Sequence, residues 1–103
     1  MNPETEAQLR HEANRGMRAS DLLNDDLMIE AFATITERLS SEWANSPVRD
    51  TEGRERIWMM QKLLQSLKGH IEEVLQTGKM AALQLEQQRT IAQRLKSQMS
   101  EWL

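Results

Sequence analysis

From Ile57 to Trp102 the chain repeats at alternating steps of three and four: Ile57, Met60, Leu64, Leu67, Ile71, Val74, Gly78, Ala81, Leu85, Gln88, Ala92, Leu95, Met99, Trp102. All but Gly78 and Gln88 are apolar, and the phase holds for more than six heptads. That period is the mark of a helix with one apolar seam, and sustained this long it predicts a coiled-coil-like partner. The helix is expected over about 51–102. Between Ile57 and Leu75 the seam is broadened by Trp58, Met59, Leu63 and Leu75, as when a helix meets more than one neighbour. Beyond Lys79 it narrows, with Gln and basic residues around it.

A shorter amphipathic stretch precedes it. Met28, Ile29, Phe32, Ile35, Leu39 and Trp43 fall on one helical face, predicting a first helix over about 25–44. Asn24 reads as its N-cap, with Asp25 and Asp26 in the first turn and Leu23 and Met28 forming a hydrophobic staple. Asn45-Ser46-Pro47 ends it, because a proline pushes the residue before it out of helical geometry. A link over 45–50 suits an antiparallel hairpin, and Asp50 or Thr51 then caps the long helix. Residues 1–20 are polar, with Asn2-Pro3 and Asn14-Arg15-Gly16, and read as a flexible arm with transient helix around Glu4–Ala13.

The first helix, at roughly 20 residues and 1.5 Å per residue, covers only about 30 Å of the second. Its reach ends near Val74–Gly78, leaving Lys79–Leu103 without a partner from the chain. Gly78 is where two readings part. As a left-handed C′ residue it would end the helix and let a third fold back into a monomeric three-helix bundle. An unbroken phase across it favours one continuous helix whose far end pairs with another copy. The expected fold is therefore all-α: an antiparallel helical hairpin whose long second helix self-associates.

At 103 residues the chain is at most one domain with a thin core. Aromatics make up 4% and the good helix formers dominate, against a sheet-rich fold. The absence of cysteine removes disulfides and thiolate metal sites. No apolar run approaches the roughly 20 residues of a membrane span, so no membrane partner is expected and the chain reads as cytoplasmic. The net charge of −3 is unevenly placed. Residues 1–50 hold five arginines against ten carboxylates, and residues 51–103 hold eight basic against six acidic side chains. The halves, at −5 and +2, attract one another within or between copies.

Candidate chemistry is sparse. Gly78-Lys79 lacks the glycine run, the following Ser/Thr and the strand of a phosphate-binding loop. His70 and Glu73 share a helix face, but a di-iron bundle needs paired Glu-x-x-His motifs, and the only other histidine is His11. No nucleophile–base arrangement can be assembled, so no catalytic, cofactor or metal residues are expected. Lys79, Arg89, Arg94 and Lys96 are the candidate nucleic-acid contacts, against Glu86 and Glu101. Trp58, Ala81, Leu85, Ala92, Leu95, Met99 and Trp102 are the candidate oligomer or partner interface, tryptophan being common at binding hot spots.

Leu22-Leu23-Asn24, Ala31-Phe32, Trp43 with Ser46-Pro47, Asp50-Thr51-Glu52-Gly53-Arg54-Glu55 and Thr77-Gly78-Lys79-Met80-Ala81 together resemble small all-helical proteins of tailed phages and prophages. The likeness covers about residues 18–85. Such proteins lie among virion-assembly genes, which implies a role as a scaffold or joining component, with phage structural proteins as partners and a location in the host cytoplasm or virion. It carries no functional residue over. The expected function is a non-enzymatic, homo-oligomerising interaction protein. The alternatives are a nucleic-acid-associated packaging factor of small-terminase type and a small helical inhibitor of a host protein.

Overall fold

The computed structural model describes residues 1–102, and every element among them is helical. Helix α1 spans Pro3–Asn24, α2 Asp26–Asn45 and α3 Thr51–Trp102. The all-α expectation holds, and α3 matches the predicted 51–102. It passes through Gly78 without a break, and no glycine among the described residues has a positive φ. The alternative of a chain reversal at Gly78 is therefore corrected: it needed a left-handed residue there, and Gly78 is helical.

The flexible arm expected over 1–20 is also corrected, because these residues form most of α1. Asn2 opens the helix, its side chain accepting from the Glu4 amide at 2.8 Å, and Pro3 takes the first position, where a missing N–H costs nothing. Glu4 and Glu6 sit against the positive end of the helix dipole, and Glu6 pairs with Arg10 one turn on.

Only Asp25, in an extended conformation, separates α1 from α2. It is the N-cap, with Oδ1 accepting from the Met28 amide at 2.9 Å. Asn24, the expected cap, instead closes α1 by donating to the Ser20 carbonyl at 2.8 Å. Both residues are competent caps, and the assignment falls to the one whose backbone leaves helical geometry.

The chain divides into two units. In Ser20–Glu73, α2 lies antiparallel to the first part of α3. Arg54 stacks over the Trp43 ring at 4.0 Å, Gln61 reaches Ser40 at 3.5 Å, and Lys68 shares a cleft with Met28. The link is tight: Ser46 N and Oγ donate to the Trp43 carbonyl, and Asp50 caps α3 by accepting from the Gly53 amide at 3.0 Å. Leu39 is the buried apolar residue of α2. The α2 contact runs along Ile57, Gln61 and Leu64, so the seam residues Met60 and Leu67 stay exposed beside it.

The other unit joins Met1–Ala19 to the chain from Val74 onward. Its centre is a backbone contact between Gly16 and Gly78, flanked by buried Leu9, Ala19 and Ala81. Leu85 on α3 is half-buried, and within the unit only α1 can cover it. Three residues of α1 follow Gly16 in the unit, whereas thirteen helical residues precede it and reach about 20 Å. Helix α1 therefore runs antiparallel to this half of α3, and the cover ends where α1 begins.

Candidate interaction surface

The expectation that Lys79–Leu103 lacks any partner from its own chain is half right, and α1 decides which half. Ala81, a predicted interface residue, is only 2% exposed and packs in the α1–α3 contact. Leu85 is half-buried there. Neither is free for a second molecule, because the arm expected to be flexible is the helix that covers them.

Past Leu85 the seam is exposed. Ile91, Ala92, Leu95, Met99 and Trp102 are all exposed, Leu95 at 55% and Trp102 at 90%. At 100° per residue Ile91, Leu95, Met99 and Trp102 form one strip. Leu95, Gln98, Met99 and Trp102 shape a shallow apolar depression along it. Four of the seven predicted interface residues thus form a continuous open surface. Trp58 belongs to the other unit, half-exposed, with Lys62 Nζ 5.5 Å from its ring centroid.

Two further apolar surfaces occur in the hairpin unit. Met59, Met60, Leu63 and Leu67 form an exposed ridge on α3. Between α2 and α3 opens a cleft of about 610 Å3, walled by Leu23, Met28, Ile29, Phe32 and Leu64, with Glu37, Gln61, Gln65 and Lys68 at its polar edges. The volume lies in the range of ligand-holding clefts. The amphipathic face of α2 was legible in sequence. That the hairpin would leave it partly open was not, since Ile29 and Ile35 have the same pattern as residues that pack shut.

The candidate nucleic-acid contacts Lys79, Arg89, Arg94 and Lys96 are all exposed, and Arg89 pairs with Glu86 at 2.8 Å. By helical angle they spread over an arc opposite the apolar seam. No group of three or more acidic, histidine or cysteine ligands comes together among the described residues. None of the described helices is long and apolar enough to cross a membrane.

Sequence reading missed Leu9, Gly16 and Ala19. Glu6, Leu9, Ala13, Gly16, Ser20 and Leu23 keep a three-four spacing, and all are at least half-buried. That spacing was a usable signal, muted because most of its members are small or polar. No protein-family model, curated protein or solved structure matches the chain.

Proposed function

We propose that this protein works by self-association rather than catalysis, with the α3 strip from Ile91 to Trp102 as its principal interface. The observation that carries the reading is the exposure of four large apolar side chains, half or more of each, at helical spacing. Burying each contributes about 1.5–3 kcal/mol. Leaving them in water has no compensation within the chain, because the buried apolar residues among those described are few, two leucines and two alanines.

The strip yields at most about 6–12 kcal/mol if all four are covered, since Ile91, Leu95 and Met99 are already partly covered. Association costs about 4–15 kcal/mol in lost freedom before any surplus appears. One strip is thus a marginal interface unless its partner surface is also apolar. Methionines on the exposed surfaces, Met59, Met60 and Met99 among them, suit a surface that repacks against its partner.

The resemblance to small helical proteins of tailed phages supplies a setting, particle assembly as a scaffold or joining component, and that part of the proposal rests on the resemblance alone. Sedimentation velocity and light scattering across a wide concentration range test the core of it. Mass rising with concentration is expected, and a monomer at every concentration overturns the reading.

A further inference from the structure

Resting on the self-association just proposed, we infer that α1 is a displaceable strap that limits it. By lying over Gly78, Ala81 and Leu85, α1 occupies the near part of the seam whose far part is open. Lifting α1 gives that length to the seam of a second copy.

Helix α1 and a second copy compete because they need the same line of α3. Gly78, Ala81 and Leu85 keep the three-four phase of Ala92, Leu95 and Trp102. Gly78 and Ala81 are buried and Leu85 half-buried, whereas the last three are exposed. The open part, from Ile91 to Trp102, falls short of two heptads, and coiled-coil pairing takes at least about three. From Gly78 to Trp102 the seam runs for about three and a half heptads. The strap therefore decides whether the seam is long enough to pair.

The hold of α1 suits release. Its buried residues are Leu9, Gly16 and Ala19, a small apolar area. Among the described residues, no hydrogen bond or ion pair joins Met1–Ala19 to the chain from Val74 onward. The polar contacts of α1 close on α1 itself: Gln8 donates to Glu12 at 3.1 Å, and Arg10 pairs with Glu6. Lifting α1 as a formed helix breaks none of them. Elements with few buried apolar contacts are the ones that open locally.

The occupant that replaces α1 is a second α3. A seam of this period is met by a helix of the same period. Helix α2 has 20 residues, and α3 alone keeps an apolar phase over more than three heptads. One unbroken helix cannot lie alongside itself, so the partner seam comes from another copy.

The test follows amide hydrogen exchange of the full-length chain across its association range, with mass read by sedimentation velocity. Protection from Leu9 to Ala19 is expected to fall as mass rises, because coupling between the two events is reciprocal. Full-length Gly16→Leu forces the same opening and leaves α3 unaltered, since its Cβ would stand 2.6 Å from the Gly78 Cα. With about a tenth or less of the original chains open, Gly16→Leu should tighten self-association about tenfold or more. Adding Leu85→Gln to Gly16→Leu should remove that gain, because Leu85 joins the interface only when α1 is lifted. A gain that survives Leu85→Gln comes from another surface and overturns the strap. Protection of α1 that holds or rises as mass grows also overturns it and leaves self-association standing. A chain that stays monomeric at every concentration, with or without Gly16→Leu, overturns both.

Discussion

Gly16 and Gly78 touch backbone to backbone. A Cβ placed on Gly16 would stand 2.6 Å from the Gly78 Cα, and one on Gly78 would stand 2.5 Å from the Gly16 Cα and 2.9 Å from the Glu12 carbonyl oxygen. Nothing in that contact can yield except the helices themselves. Gly78→Leu should therefore push α1 off α3 and cost about 1–3 kcal/mol, the usual penalty of overpacking. Hydrogen exchange would read it as lost protection across α1, with the α2–α3 hairpin still protected.

Gly69 is the control. It lies mid-helix in α3, and a Cβ there meets nothing within 4 Å. Gly69→Ala should raise stability by roughly 0.5–1 kcal/mol, since alanine loses less backbone entropy in a helix. Urea denaturation should show the two glycine replacements moving the midpoint in opposite directions.

Asp25 joins α1 to α2 by itself. Removing its carboxylate strands the Met28 amide, so Asp25→Ala should cost about 1 kcal/mol, and Asp25→Gly only a few tenths. The same denaturation measurement ranks the two. Equal losses would show that the cap is not what holds the joint.

Leu85 and Leu95 share a seam and a spacing but differ in cover. Leu85→Asp places a charge under α1 and should lower the stability of the chain by more than 1 kcal/mol, through burial of an unpaired charge. Leu95→Asp changes an exposed position, so the dilute chain should stay within about 0.5 kcal/mol of its original stability. Light scattering should show Leu95→Asp reducing the associated mass, whereas circular dichroism melts should separate Leu85→Asp from it.

Much of this was legible along the chain. The unbroken phase across Gly78 predicted a single helix from 51 to 102, because only a continuous helix has reason to keep its seam in register. The α2 face and the Ser46–Pro47 stop predicted the hairpin. What failed was α1. Its contact line of Glu6, Leu9, Ala13, Gly16 and Ser20 buries little apolar area, so a reading based on hydrophobicity saw a polar arm. Close approach of backbones is a packing effect, and small residues that permit it look like residues with nothing to bury.

By itself, then, the sequence determined the helices' period, the long seam and the place where the hairpin turns, since these are local consequences of side-chain spacing, caps and a proline. Tertiary structure alone decided how the seam is divided. The Gly16–Gly78 contact fixes where α1 lies, α1 begins at Pro3, and a helix rises only 1.5 Å per residue. Cover therefore runs out beyond Leu85, and the side chains from Ile91 to Trp102 are left facing water.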